Sequence, residues 1–278
     1  MRKVIATDLD GTLFYPKDKR AIIKKENLYF LQSFIDNGGE LILISGRSFE
    51  YIKRVIKLID RKVSVVAYNG AVIYDGENIV ESHPLDNKVC EDMINECFKP
   101  YKCHGIFLMS EKGLAVHLIF NNKFIRWLYT FYYKSLKNLA ESLLPSDEDY
   151  WHELREGTIY KFMFFFGVGK AMEKRAQRAT SIFREKYKNV ECNWSNNVIE
   201  VTDHGVQKAD ALRRLCERLG YKDDEVYVVG DSGNDISMFK AYPEHSFCMG
   251  QAYPSVKKYA KYTIDKFEEL SRYIYEKE

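Results

Sequence analysis

Apolar residues cluster at both ends of the chain in short continuous runs, separated by stretches with helical spacing. The pattern predicts strands at 4–7, 40–44 and 63–67, with helices at 22–37, closed by Gly38-Gly39, and at 49–59. A further strand at 71–74 follows the Asn69-Gly70 turn and reads as half of a hairpin. Near the other end, 208–219 places Ala211, Leu212, Leu215, Cys216 and Leu219 on one helical face, with Gly220 as the stop. A strand at 226–229 and a short helix at 235–241 follow. Short apolar runs alternating with helix-length segments indicate parallel strands buried on both faces, so both ends belong to one α/β core.

The texture changes between them. A helix is predicted at 91–98, a hairpin at 105–109 and 114–120 around Glu111-Lys112-Gly113, and a long amphipathic helix at 121–144 ended by Pro145. In that helix Phe124, Leu128, Phe131, Leu139 and Leu143 lie near one stripe. A strand at 159–166, a helix at 171–187 and two short strands within 190–201, turning at Ser195-Asn196-Asn197, complete the segment. Hairpins mixed with helices describe an α+β module inserted into the α/β domain. The expected organisation is a core of 1–83 and 197–278 with an insert of 84–196.

At 278 residues, two domains are the default. A net charge of +2 lacks the basic excess that a nucleic-acid partner requires. Six dispersed cysteines form no CxxC pair, which fits free thiols in a reducing compartment rather than a zinc site or disulfide framework. The start carries no signal-peptide pattern, and the apolar run 162–166 is far short of a membrane span. A cytoplasmic protein without a membrane partner is expected.

Two of the predicted strands end in acidic knots: Asp8-Leu9-Asp10-Gly11-Thr12 after the first, and Gly230-Asp231-Ser232-Gly233-Asn234-Asp235 after 226–229. Open α/β sheets place their sites outside the carboxyl ends of the strands. Clustered carboxylates there require a hard divalent cation, and Mg²⁺ suits one or two carboxylates plus a phosphate. Asp8 and Asp10, two apart, face the same side of an ideal strand. Standing alone, such a pair is commonly just a charged turn.

The pair does not stand alone. Asp8-x-Asp10-Gly11-Thr12 resembles the nucleophile motif of the haloacid dehalogenase-like phosphatases. Ser45-Gly46-Arg47 resembles their second motif, Lys208 their third, and Gly230-Asp231-x-x-Asn234-Asp235 their fourth. The position of the insert, preceded by Tyr68-Asn69-Gly70-Ala71, is similar to the Cof-type branch with a C2B cap. The resemblance covers both core halves closely, and the insert only by position, size and element order. Gln207 and Ala209 depart from the usual small residue before the lysine and glycine after it, without removing a reacting group.

The resemblance implies a Rossmann-like core and a Mg²⁺-dependent phosphatase acting on a small phosphorylated metabolite, such as a sugar phosphate. Asp8 is the implied nucleophile, forming an aspartyl-phosphate. Asp10 is the implied acid and base. The Asp8 carboxylate, the Asp10 backbone carbonyl and Asp231 are the implied metal ligands. Ser45, the Gly46 N–H, Lys208 and Asn234 would bind phosphoryl oxygens, with Thr12, Arg47 and Asp235 in support, Asp235 acting through water or Lys208.

Other residues leave alternatives open. Arg47 meets a substrate anion or makes a salt bridge to the insert, and Asn69 lines the cleft or only supplies the turn. The aromatics of the insert (Trp127, Tyr129, Phe131, Tyr132, Tyr133, Trp151 and 162–166) stack on a substrate ring or, as is usual, build core. Tyr150-Trp151-His152 reads as a specificity loop. A phosphohexomutase shares the core and cap type, but it needs extra anion-binding groups in the insert. Arg126, Arg155, Arg175 and Arg178 are sparse, which favours hydrolysis. A non-catalytic binder should have lost a carboxylate or the lysine, and none is missing. A monomer or weak homo-oligomer suffices for the chemistry.

Overall fold

The computed structural model describes residues 2–16, 21–118, 141–144, 146–195 and 197–275. They form two compact units, one of residues 1–81 and 207–278 and one of residues 82–206.

The first unit is built on an eight-stranded sheet. Its strands are β1 (Val4–Thr7), β2 (Glu40–Ile44), β3 (Ser64–Ala67), β4 (Val72–Asp75), β5 (Asn78–Ser82), β12 (Val226–Gly230), β13 (Ser246–Met249) and β14 (Tyr262–Ile264). The order is β14-β13-β12-β1-β2-β3-β4-β5. The β14 to β3 portion is parallel, and β4 runs antiparallel to β3. All four residues of β1 are buried, as expected of a strand covered on both faces. This is the α/β architecture that the alternation of apolar runs predicts, and the Rossmann-like core that the resemblance implies. Strands β5, β13 and β14 extend it beyond the predicted set, because each is too short or too polar to stand out by pattern.

Three helices link these strands near the site. Helix α1 (Lys25–Asp36) starts three residues later than predicted, because Ile22 and Ile23 precede its first turn. Helix α2 (Phe49–Ile59) keeps the predicted limits: the Ser48 hydroxyl accepts from the Tyr51 N–H at its start, and Asp60 closes it in the left-handed conformation, φ 53°. Helix α6 (Lys208–Leu219) also matches, with Gly220 at φ 75° as its stop. Within the fourth motif, Gly233–Asp235 forms a 3₁₀ turn ahead of α7 (Ile236–Ala241), so Asp235 precedes the helix instead of starting it. The short helices α8 (Pro254–Lys257) and α9 (Leu270–Tyr275) complete the unit.

The second unit is α+β. Its sheet contains β6 (Gly105–Ser110), β7 (Gly113–Leu118), β8 (Leu143–Leu144), β9 (Ile159–Phe165), β10 (Val190–Ser195) and β11 (Val198–Asp203), in the order β10-β11-β9-β6-β7-β8. Helices α3 (Asn87–Cys97), α4 (Asp147–Glu156) and α5 (Lys170–Lys186) share a core with it. Met93, Tyr150, Phe162, Phe164, Phe166 and Phe183 are among its buried members. Phe162, Phe164 and Phe166 therefore build core, whereas Trp151 is exposed. The pattern that spaces Phe162, Phe164 and Phe166 two apart is the strand alternation that sends all three to one side.

Three expectations change. Val198–Asp203 pairs along its length with β10 and β9, so the expected boundary after Asn196 falls inside a hairpin and the second unit extends to Val206. Tyr150-Trp151-His152 lies in α4, not a loop, and the Ser146–Asp149 capping box starts that helix. Its apolar stripe was hard to read because Glu153 occupies a buried position in it. Leu143–Leu144 is a strand paired with β7, not the end of a helix, and residues 121–140 of the predicted 121–144 helix, with Trp127, Tyr129, Phe131, Tyr132, Tyr133 and Arg126, lie outside the described residues. All six cysteines are buried and free. Among the described residues, no helix is long and apolar enough to cross a membrane.

The burial of β1 makes its interior side chains the most costly to truncate in the first unit. Ile5 is fully buried at the centre of the sheet, so Ile5→Ala should cost about 2–5 kcal/mol. Urea unfolding should show a lower midpoint at an unchanged slope. A loss under ~1 kcal/mol would mean that β1 is not the centre of this core.

Candidate active site

Four chain segments converge at the carboxyl ends of β1, β2 and β12 and the first turn of α6. The Asp8 N–H donates to the Val229 carbonyl at 3.0 Å, which extends the β1–β12 pairing one residue past β1. The chain then turns through Leu9–Leu13, with Gly11 at φ 83°. Gly11 is required on two counts: its φ is left-handed, and a Cβ there would sit 2.3 Å from Asp231 Oδ2. The first and fourth motifs therefore approach more closely than any side chain at 11 would permit.

Lys208 ties the segments together. Its side chain is fully buried, and Nζ donates to Asp8 Oδ1 at 2.6 Å and to Asp235 Oδ1 at 2.7 Å. Asp235, also fully buried, accepts at its other oxygen from the Asp231 and Ser232 N–H groups, each at 2.9 Å. Its two oxygens are thus spent on Lys208 and the loop amides. Asp231 accepts from the Thr12 hydroxyl at 3.3 Å. Carboxylate oxygens of Asp8, Asp231 and Asp235 lie within 4.8 Å of one another.

Burial raises the Asp8 carboxyl well above its ordinary range, against the opposing pull of Lys208. Burial, and then the charge of Asp235, push Asp231 up to about 7. Burial alone would lower Lys208, but Asp235 and Asp8 outweigh it and hold the ammonium protonated. Three carboxylates against one ammonium leave surplus negative charge on hard oxygen donors, and a divalent cation is what such a set accommodates. Asp8, Asp231 and Asp235 together offer carboxylate oxygens that could hold such an ion. The donor set fits a divalent metal ion.

The second motif sits on the loop after β2. Ser45 is buried, its N–H donating to the Val66 carbonyl and its Oγ accepting from the Arg47 N–H at 3.2 Å. Gly46 is partly exposed beside it. Arg47, expected to meet a substrate anion or the insert, forms a side-on pair with Asp10: Nε donates to Oδ2 at 2.6 Å and Nη2 to Oδ1 at 2.8 Å. Its guanidinium lies over the Tyr51 ring, 4.6 Å from the centroid.

Asn69 is more than a turn residue. Tyr68, Asn69 and Gly70 take φ values of 52°, 61° and 112° in succession, a run that costs conformational energy and marks a constrained site. The Asn69 N–H donates to the Ser45 carbonyl at 2.9 Å and the Tyr68 N–H to the Arg47 carbonyl at 3.1 Å. The Asn69 Oδ1 accepts from Asn234 Nδ2 at 3.2 Å, and the Ser232 hydroxyl donates to Asn234 Oδ1 at 2.6 Å. The Asn-Gly dipeptide marks the turn, but nothing in the sequence says which loops it fastens. Tyr51 and Ser232 likewise gave no sequence signal.

Comparison with known proteins follows the same lines. The family of haloacid dehalogenase-like hydrolases matches residues 5–271. The chain is 25% identical to the phosphatase YwpJ of Bacillus subtilis over 93% of each chain. It is 24% identical to the pyridoxal phosphate phosphatase YbhA of Escherichia coli over 98% of this chain and 97% of that one. A Bacillus subtilis haloacid dehalogenase-like hydrolase of known structure superposes with a TM-score of 0.76 at 20% identity, covering 98% of this chain and 99% of that one.

The raised carboxyl of Asp231 predicts how stability varies with pH in EDTA. A carboxyl whose folded value, about 7, lies above its ordinary 3.8 contributes stability fully below about pH 4, and loses it as pH rises through 7. Asp36, Glu96 and Glu244, whose values are lowered, act in the opposite sense only below the ordinary carboxylate range. The melting temperature in EDTA should therefore be lower at pH 7.5 than at pH 5, and Asp231→Asn should flatten the difference. An unchanged pH slope in Asp231→Asn would rule out this carboxyl as its source.

Proposed function

Because this chain belongs to the haloacid dehalogenase-like hydrolase family, we propose that it is a Mg²⁺-dependent phosphomonoesterase that works through an aspartyl-phosphate on Asp8. The observation that carries this reading is the buried Lys208 bridge between Asp8 and Asp235, beside the surplus carboxylate of Asp231. It leaves one Asp8 oxygen to attack phosphorus while the other is held by an ammonium that also attracts the incoming phosphate.

In this reading Asp8 attacks the ester phosphorus, and Asp10 gives its proton to the leaving oxygen. Asp10, now a carboxylate, takes a proton from the water that hydrolyses the phospho-aspartate. Lys208, Ser45, the Gly46 N–H and Asn234 hold the phosphoryl oxygens as charge spreads over them. Thr12 and Asp235 support the site by fixing Asp231 and Lys208. The Asp8 and Asp231 carboxylates and the Asp10 backbone carbonyl would hold the metal ion. When bound, Mg²⁺ neutralises the repulsion between carboxylate and phosphate and polarises the transferring group.

The second unit, in this reading, is a C2B-type cap of the Cof branch that selects the leaving group. A small phosphorylated metabolite, a sugar phosphate or similar, is the substrate class. The names of relatives support that range: one hydrolyses pyridoxal phosphate, and a fold neighbour with a TM-score of 0.75 at 21% identity is a subclass IIB sugar phosphatase.

The test is phosphate release from hexose 6-phosphates, pentose 5-phosphates, glycerol phosphate, pyridoxal 5′-phosphate and p-nitrophenyl phosphate, with Mg²⁺ and with EDTA. Turnover should require Mg²⁺, and Asp8→Asn should lower kcat at least ~10³-fold while remaining folded by circular dichroism. Retained turnover in Asp8→Asn would sink the assignment. Isomer formation without phosphate release would identify a mutase.

A further inference from the structure

Ser45, Lys208 and Asn234 come from three separate segments, and one short turn after β3 touches all three. At its centre Asn69 is 2% exposed, with its backbone left-handed at φ 61°. Its N–H donates to the Ser45 carbonyl at 2.9 Å, and the Tyr68 N–H holds the Arg47 carbonyl at 3.1 Å. Gly70 meets the residue before Lys208: a Cβ at position 70 would stand 2.7 Å from the Gln207 carbonyl oxygen. The Asn69 side chain reaches the fourth motif, its Oδ1 accepting from Asn234 Nδ2 at 3.2 Å.

That last contact decides which end of Asn234 donates. A side-chain amide has a donating and an accepting end, and a half-turn about its last bond exchanges them. The Ser232 hydroxyl lies 2.6 Å from Asn234 Oδ1, but a hydroxyl donates or accepts and so serves either orientation. Asn69 Oδ1 only accepts. Turning Asn234 over would set two amide oxygens against each other, beside a turn already pinned to the Ser45–Arg47 loop. Asparagine suits this position twice over: it tolerates the left-handed backbone and it carries the accepting oxygen.

We propose that Asn69 is a positioning residue for phosphoryl binding. Its accepting oxygen keeps the Asn234 nitrogen oriented as a donor, and its backbone holds that donor in register with Ser45 and the start of α6. This rests on the reading of Ser45, Lys208 and Asn234 as the groups that bind the phosphoryl oxygens. Asp8 and Asp231, the carboxylates read as metal ligands, are tied by other contacts, to Lys208 and to Thr12. Loss of the Asn69 side chain should therefore weaken the hold on phosphate and leave the hold on the metal ion intact.

A double-mutant cycle on kcat/KM for p-nitrophenyl phosphate tests this, with folding followed by circular dichroism. Asn69→Gly keeps the left-handed backbone and deletes the amide, whereas Asn69→Asp keeps an accepting oxygen at the same reach. Asn234→Ala should lower kcat/KM about tenfold or more in the wild type and in Asn69→Asp, but less than about twofold in Asn69→Gly. Competitive inhibition by orthophosphate should weaken in Asn69→Gly by a factor similar to that in Asn234→Ala. The Mg²⁺ concentration for half activation should stay within about twofold of the wild type. An undiminished cost of Asn234→Ala in Asn69→Gly, or no cost in the wild type, would overturn the proposal. A cost that disappears in Asn69→Asp would do the same, and that variant decides alone if Asn69→Gly does not fold. A Mg²⁺ requirement that rises in step with the loss of kcat/KM would also overturn it, since that describes a loosened site. A wild type that releases no p-nitrophenol is a different result, which refutes the phosphatase reading. The same cycle on orthophosphate affinity by calorimetry then decides, and a cost of Asn234→Ala that survives in Asn69→Gly again overturns the proposal.

Discussion

A single ammonium group holds the site together. Lys208 Nζ contacts carboxylates 200 and 27 positions away in the chain, with no exposed surface of its own. Taking charges out of water is costly, and only close, well-directed contacts offset it. Here each contact is under 3 Å, and Asp235 passes the constraint on to the Asp231 and Ser232 amides. Removing either partner would leave a buried charge uncompensated, so the first turn of α6 and the loops after β1 and β12 are set as one body. The positions of Asp8 and Asp231 follow from it.

That constraint works only because backbone and glycine admit it. The parallel register of β1 and β12 carries Asp8 to the Val229 carbonyl, and the left-handed Gly11 leaves room for Asp231. Gly230 plays the same part on the other side, since a Cβ there would lie 2.4 Å from Asp235 Cγ. On the β2 side, the left-handed run through Tyr68 and Asn69 fastens the Ser45–Arg47 loop by backbone hydrogen bonds. Its conformational cost is spread over contacts that also orient Asn234.

The site thus holds ion pairs of two kinds. Those of Lys208 are buried and permanent in character, and they fix geometry. The Arg47–Asp10 pair is half in water, which screens it. The same contrast recurs in the second unit, where Lys161 and Glu200 pair at 3.1 Å within the sheet, nearly closed to solvent. Burial, more than distance, separates a structural pair from an exchangeable one.

The sequence by itself determined the chemistry-bearing ends of the strands. Apolar runs that stop at Asp8 and Gly230, a helix that opens on Lys208 and a chain interrupted by an α+β module are all legible, because strand burial and helix periodicity are local properties. Family membership follows from the order of those motifs and from the match over residues 5–271. The sequence could not say that Arg47 faces Asp10, that Asn69 holds Asn234, or that Val198–Asp203 pairs with β9. Each of these joins segments far apart in the chain, and the partner is chosen by which loops the packed sheet brings together. The helix at Asp147–Glu156 was hidden for a related reason: Glu153 is tolerated in its buried stripe because Lys112, 41 positions away, pairs with it at 2.8 Å. Local pattern names the residues able to do chemistry, and tertiary contact decides which of them meet.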